Sequence, residues 1–278
     1  MINVIKAFIV KNVTRTISLI AIILTFVPEI FFDKRIIKSD LTVESNIVLN
    51  RIILFFFLLL IISVIDGIYI SCREKIIIKG HNYSINIEYS DIIAISEYKK
   101  VITFDECFTT HIGDMPGDIK SGSICGQYLI KNSLQDTDKI NKLITDLGIQ
   151  PCKTKSKYKD LTRYESGTLV PNGKNLLMSF AKLDENGLGV MTYDEFINCL
   201  NLLWKEIDKY YALEDVCIPI LGSGILRLKD KSLTQQELLD IIVSSYKLSP
   251  YKLKTPNKLH IVCKKREGFS INKVGYTL

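Results

Sequence analysis

Large apolar side chains crowd the front of this chain and alternate with polar ones behind it. Between Arg51 and Asp66 fourteen residues carry no charge, and the eleven from Ile52 to Ile62 are all large and apolar. A helix over them has no polar face. Continued through Asp66 to Ile70, the run is nineteen residues long, about 28 Å at ~1.5 Å per residue against a hydrocarbon core of ~30 Å. The pattern predicts a transmembrane helix at 52–70, with Asp66 near one end and within reach of headgroups or water.

A second apolar segment, Thr16 to Phe32, is seventeen residues long and is interrupted by Pro28 and Glu29. Lys6, Lys11 and Arg15 ahead of it resemble the basic start of a signal peptide. Phe31, Phe32 and Asp33 then stand where a small-x-small cleavage pattern belongs, so the reading is a second span at 16–32, with an interfacial or buried helix as its competitor. Two spans put both ends of the segment on one side. Lys6, Lys11, Arg15, Arg73, Lys75 and Lys79 flank that side, against Lys34, Arg35, Lys38 and Arg51 in the connecting loop, and the positive-inside bias turns the termini inward. The hairpin contains no GxxxG pair, so residues 1–72 alone leave open whether it is an anchor or an assembly module.

From Lys75 onward short β-like runs alternate with helical ones. The strands predicted are Lys75–Lys79, Tyr83–Glu88, Val101–Phe104, Asn175–Ala181, Val216–Leu221 and Leu259–Cys263; the helices are Asp136–Leu147, Thr192–Leu213 and Thr234–Tyr246. Thr192 with Glu195 and Thr234 with Glu237 are capping boxes that mark two helix starts. Strands alternating with helices imply an α/β sandwich over 73–278 behind a helical hairpin over 1–72.

Composition sharpens the division. Residues 1–72 hold one glycine and one proline, whereas the remainder holds 14 glycines and 6 prolines. The chain carries 36 Lys plus Arg against 30 Asp plus Glu, a net charge of +6 without the blocks of consecutive basic residues expected of a nucleic-acid patch, which argues against a nucleic-acid partner. Seven cysteines with no CxxC pair make neither a disulfide framework nor a zinc site. Such scattered thiols fit small buried residues in a reducing compartment, so the sandwich is expected to face cytoplasm.

In α/β sheets ligands bind beyond the carboxyl ends of the strands. The buried-strand run Val216–Leu221 ends there in Gly222-Ser223-Gly224-Ile225-Leu226-Arg227, whose glycines let backbone N–H groups approach an anion. A tight structural turn is the competing reading. Ser123-Ile124-Cys125-Gly126-Gln127 is a second candidate loop of the same character, and Phe104-Asp105-Glu106-Cys107-Phe108 closes a strand with adjacent carboxylates that point to opposite faces. Asp184 to Glu195 resembles a calcium loop in part, but Leu188 stands where an oxygen ligand is needed, so a strand-to-helix loop is preferred and no metal is expected. No GxSxG elbow surrounds Ser223, and His81, His111 and His260 lie in no triad-like context.

Ser90-Asp91-Ile92, Phe104 to Phe108, Ser123 to Gln127 and Ile218 to Arg227, in that order, resemble a macro domain, the ADP-ribose-binding fold. The resemblance implies a macro-domain-like α/β/α sandwich with a mixed sheet. It implies Asp91, beside Ile92, as the reader of adenine; Ser123, Ile124, Cys125, Gly126 and Gln127 with Gly222, Ser223, Gly224, Ile225, Leu226 and Arg227 as the diphosphate cradle; and Phe104, Asp105, Glu106, Cys107 and Phe108 as the wall beside the distal ribose. Hydrolytic macro domains carry an Asn-Ala-Ala-Asn segment, and residues 103–110 contain no asparagine. The resemblance therefore implies a sensor, with a membrane-anchored ADP-ribosyl hydrolase or a passive ADP-ribose-binding module as alternatives.

Two membrane helices ahead of a macro domain are similar to the membrane effector of type II Thoeris antiphage systems. That likeness implies a bacterial inner-membrane protein with its N-terminus and macro domain in the cytoplasm. It further implies histidine-ADP-ribose, made by a partner TIR-domain enzyme, as the signal, no resident cofactor, and homo-oligomerisation that damages the lipid bilayer. Asp105 or Glu106 is the acid expected to meet the amino group or imidazole of the adduct.

Overall fold

The computed structural model describes residues 2–33, 42–134, 136–224, 227–228 and 232–275. It divides into two compact units, Met1–Arg73 and Glu74–Leu278.

The first unit is a helical hairpin. Helix α1 spans Ile2–Phe26 and α2 spans Val43–Cys72, with a short 3-10 turn at Glu29–Phe32. Both helices are long and apolar enough to span a bilayer. Helix α1 begins fourteen residues ahead of the span expected at 16–32, because Lys6, Lys11 and Arg15 do not break a helix; it stops before Pro28, whose ring admits no continuing helical hydrogen bond. Helix α2 likewise starts ahead of position 52, where Thr42 accepts from the Ser45 N–H as N-cap. Asp66 is not an isolated boundary charge: Lys11 Nζ lies 3.0 Å and Arg15 2.8 Å from its carboxylate across the hairpin. At the other end Asn46 and Asn50 donate to the carbonyls of Asp33 and Phe32 at 2.9 and 2.7 Å, tying the chain reversal to α2.

The second unit is built on a nine-stranded mixed sheet. Its strands are β1 (Lys75–Lys79), β2 (Ser84–Tyr89), β3 (Lys99–Asp105), β4 (Leu169–Asn172), β5 (Asn175–Leu183), β6 (Gly189–Met191), β7 (Val216–Pro219), β8 (Arg227–Leu228) and β9 (Leu259–Cys263). They lie in the order β1-β2-β9-β7-β3-β5-β6-β8, with β4 against β5. The pairs β2·β9, β9·β7, β7·β3 and β3·β5 are parallel, so five strands end at one edge.

Alternation along the central strands sends side chains into two cores. Val101, Met178, Ile218 and Ile261 pack with Phe196, Leu203 and Trp204 of α5 (Tyr193–Tyr210) and with Leu239 and Ile242 of α6 (Gln235–Leu248). Ile102, Phe104 and Leu177 turn the other way, onto Cys125 and Leu129 of α3 (Ile124–Lys131) and Ile140 and Ile144 of α4 (Thr137–Asp146). Burial on both faces explains why these strands read as nearly continuous apolar runs, and helices on both faces make the α/β/α sandwich. Both capping boxes form, Thr192 with Glu195 and Thr234 with Glu237, and each opens its helix where the spacing placed it. Three short strands, β4, β6 and β8, and helix α3 carry too little periodicity to stand out in the sequence.

Candidate functional site: a cleft across five parallel strand ends

A cavity of about 400 Å³ opens at the carboxyl ends of β2, β9, β7, β3 and β5. Four strand spacings of ~4.8 Å separate β2 from β5, so the cleft runs roughly 19 Å along the sheet edge. Asp91 and Ile92, just past β2, line one end, and Leu183, at the end of β5, lines the other with Gly187, Leu188 and Gly189. Between them stand the loop after β7 and the start of α3. This is the crevice in which doubly wound sheets take their ligands.

The middle of the cleft is made of backbone. Pro219 to Gly224 line it directly. Gly222 sits at φ +80°, a left-handed conformation that favours glycine, and Ser223 commits its hydroxyl to the Ile220 carbonyl at 2.7 Å. Opposite, Ser123 caps α3: its Oγ accepts from the Gly126 N–H at 3.0 Å and donates to the Lys120 carbonyl at 2.7 Å. The first N–H groups of α3, on Ile124 and Cys125, have no intrahelical acceptor and belong to cavity-lining residues. Gly126 itself does not line the cavity. A Cβ there would stand 2.3 Å from the Lys120 carbonyl oxygen, so glycine is what lets the 120–123 loop fold onto the helix it starts. Gln127 is also outside the cavity, donating through Nε2 to the Gly122 carbonyl at 2.9 Å and tightening the same loop.

The acidic wall after β3 divides as strand geometry requires. Phe104 and Asp105 line the cavity; Glu106, Cys107 and Phe108 do not. Asp105 Oδ1 accepts from the N–H groups of Cys107 (2.7 Å) and Thr109 (3.3 Å), and its Oδ2 from the Thr109 hydroxyl. Burial pushes its carboxyl above the ordinary range, and these hydrogen bonds oppose that rise. Glu106, 2% exposed, is turned to the far side, where it accepts from Ser156 Oγ (2.6 Å), Arg163 (3.2 Å) and the Leu183 N–H (3.2 Å). Phe108 is fully buried in the α3–α4 core, with φ at +52°. So Asp105 organises its turn, and Glu106 is a structural ion-pair partner.

Two thiols line the cavity, Cys125 and Cys263. Burial holds Cys125 well above its ordinary value and pushes Cys263 up to about 12, as it does Cys107. All three are protonated near neutral pH and are poor nucleophiles. Among the described residues no group of three His, Cys, Asp or Glu side chains could hold a metal ion.

Several lining residues carry no motif. Thr103, Phe180 and Ala181 come from strand interiors, and Gly187, Leu188 and Gly189 from the β5–β6 hairpin, which the sequence presents only as a strand-to-helix loop. Pro116 to Lys120 close the cleft from a turn in which Asp118 Oδ2 accepts from the Met115 N–H at 2.9 Å. Lys264 and Arg266 follow β9; a basic run straight after a buried strand was the available signal. Of the candidates in the loop after β7, Ile225 and Leu226 lie outside the described residues. Arg227 enters β8, opposite Val190 of β6.

Known proteins frame this geometry. Residues 85–264 match the family model of the macro domain of Thoeris protein ThsA. Thoeris protein ThsA of Bacillus amyloliquefaciens is 28% identical over 244 residues, covering 84% of this chain and 80% of its own length. Among solved structures, a point mutant of an Oceanobacillus iheyensis macrodomain aligns over 70% of this chain and 91% of its own at 9% identity and a TM-score of 0.44. The same macrodomain with ADP aligns over 69% and 89%, at 10% identity and a TM-score of 0.41. With the family model covering most of a unit whose sheet, layers and cleft are those described above, the chain belongs to the ThsA macro-domain family of Thoeris proteins.

Proposed function

We propose that this protein is an antiphage membrane effector whose macro domain senses an ADP-ribose-derived signal, and that ligand binding assembles the helical hairpins and breaches the membrane. The observation that carries the reading is the cleft itself: an elongated trough with an exposed carboxylate, Asp91, at one end and a backbone-lined middle flanked by a helix start. That layout suits a nucleoside at Asp91, a diphosphate between Gly222–Gly224 and α3, and a second sugar toward the β5–β6 hairpin.

Sensing is preferred to hydrolysis because the acids nearest the far end are engaged elsewhere. Asp105 holds its own turn with both oxygens, Glu106 is locked to Arg163 and Ser156, and the cavity thiols are protonated. None is left as a free general base. The ligand proposed is histidine-ADP-ribose from a TIR-domain enzyme, acting through higher affinity for an assembled state than for the single chain. Asp118 also lines the cavity and is the acid proposed to face the adduct; its Oδ2 accepts from the Met115 N–H and its Oδ1 lies 3.8 Å from His111 Nε2. The hairpin, with two helices long enough to span, is proposed to sit in the bacterial inner membrane with the macro domain in the cytoplasm.

Calorimetry on the full chain in lipid nanodiscs, with ADP-ribose and histidine-ADP-ribose, tests the reading when paired with chromatography of the recovered ligand and dye release from liposomes. Gly224→Glu, at a lining position where a Cβ meets nothing within 4 Å, is the blocked control. Expected are binding of intact ligand lost in Gly224→Glu, and dye release that needs the ligand. Turnover of the ligand would establish the hydrolase instead, binding without dye release the passive module, and absence of binding to either compound would remove the site.

A further inference from the structure

Among the described residues three cationic side chains line the cavity, and they are not equivalent. Lys120 is engaged, its ammonium donating to the carbonyls of Met115 (2.9 Å) and Gly113 (3.3 Å). Lys264 and Arg266 stand on the exposed segment that leaves β9, in the middle of the sheet order and beside the loop after β7. Extended alternation sorts the basic run Lys264-Lys265-Arg266. Residues 264 and 266 line the cavity, while Lys265 turns away to Glu74, 2.8 Å distant, and lies over the Tyr89 ring. Arg266 donates through one terminal nitrogen to the Ser223 carbonyl at 3.0 Å, the central residue of the Gly222–Gly224 turn. One bond uses one of the five N–H groups of a guanidinium.

We propose that Arg266, assisted by Lys264, is the cationic wall of the anion cradle: it fixes the Gly222–Gly224 turn through Ser223 and presents its remaining donors to a phosphate of the ligand. This rests on reading the cleft as a nucleoside-diphosphate site. It adds what backbone alone cannot supply, a full positive charge beside N–H groups that carry only partial ones, and a planar fork that matches two phosphate oxygens.

Calorimetry on the full chain in nanodiscs with ADP-ribose, ADP and adenosine separates the possibilities. Arg266→Gln is expected to weaken ADP-ribose and ADP by about 10- to 100-fold while leaving adenosine within about twofold, as for a lost charge-assisted hydrogen bond. Raising the salt from about 0.05 to 0.5 M should weaken the wild-type chain more than Arg266→Gln, in which Lys264 still supplies a cavity charge. Arg266→Lys should keep the salt dependence and recover part of the affinity, and Lys265→Gln, which faces Glu74, should match wild type. Equal loss of adenosine and ADP-ribose in Arg266→Gln would reduce Arg266 to a prop for the turn and overturn the proposal, as would unchanged ADP-ribose affinity. A wild-type chain that binds none of the three removes the nucleotide reading itself, a failure distinct from a variant indistinguishable from a wild type that binds.

Discussion

The two units bury opposite chemistries. In the hairpin the residues buried among those described are Asn12, Thr16, Asn46 and Asn50, all polar, while Ile9, Ile22, Phe56, Phe57 and Leu60 are exposed. In the macro unit Trp204, Phe196, Ile102 and Leu176 are sealed inside, and a buried charge such as Glu106 is held by Ser156 and Arg163. The difference is the one expected of a hairpin that sits in a bilayer, as proposed above, and of a unit that folds in water. Burial of apolar surface drives folding only where the alternative is water; in hydrocarbon, helices gain nothing by hiding leucine and associate through polar contacts and close packing. Asn12 donating to Ser63 at 3.4 Å, and Asp66 between Lys11 and Arg15, form such a seam.

That contrast can be broken from either side. Trp204→Ala removes the largest fully buried side chain of the macro unit, together with its 3.0 Å hydrogen bond to Ser245, and should cost about 3–5 kcal/mol in urea unfolding of that unit. Gly126→Ala should cost about 1–3 kcal/mol by forcing a Cβ against the Lys120 carbonyl, and should weaken ADP-ribose binding as the loop shifts, which calorimetry reads. Asn46→Leu adds apolar area, which would stabilise a water-soluble core; in the hairpin it should instead destabilise by about 0.6–1.7 kcal/mol, seen as opening at a lower mole fraction of SDS in mixed micelles. A stabilised hairpin would contradict the contrast.

The smallest effect concerns a polar cluster inside the macro unit. His260, 1% exposed and stacked on Tyr98, lies between Glu88 at 2.9 Å and Asp215 at 3.0 Å. Burial pushes the Glu88 carboxyl up, but hydrogen bonds and charge from His260 and Lys75 outweigh it and hold the group below its ordinary value. A carboxyl depressed in the native state contributes stability above its unfolded value of about 4.3, and that contribution is lost as the pH falls through the lower native value. Glu88→Gln should therefore lower stability at pH 6 and flatten the acid limb below about pH 4. Unfolding curves from pH 3 to 7 that stay parallel for the two proteins would exclude this role.

How far the site was legible varies residue by residue. Asp91, Ile92, Phe104, Asp105, Ser123, Ile124, Cys125, Gly222, Ser223 and Gly224 come together in one cavity from segments up to 133 positions apart, and each sits in or beside a turn that glycine or a strand end announces. Glu106 and Gln127 sit in the same motifs yet face away, because neighbours on a strand end or in a helix's first turn point in different directions. Arg266 carried only the weak signal of a basic run after a buried strand, and its place in the cleft comes from the strand order.

Local pattern alone determined the two apolar helices, both capped helices, the buried strands and the turns between them, because periodicity, capping and glycine chemistry act within a few residues. The tertiary structure alone decided which strand ends adjoin, and hence that Asp91, the Gly222–Gly224 turn, α3 and Arg266 share one cleft while Glu106 is sealed outside it. Strand order is a long-range choice, fixed by which faces pack together across the sheet, and no local window of sequence carries it.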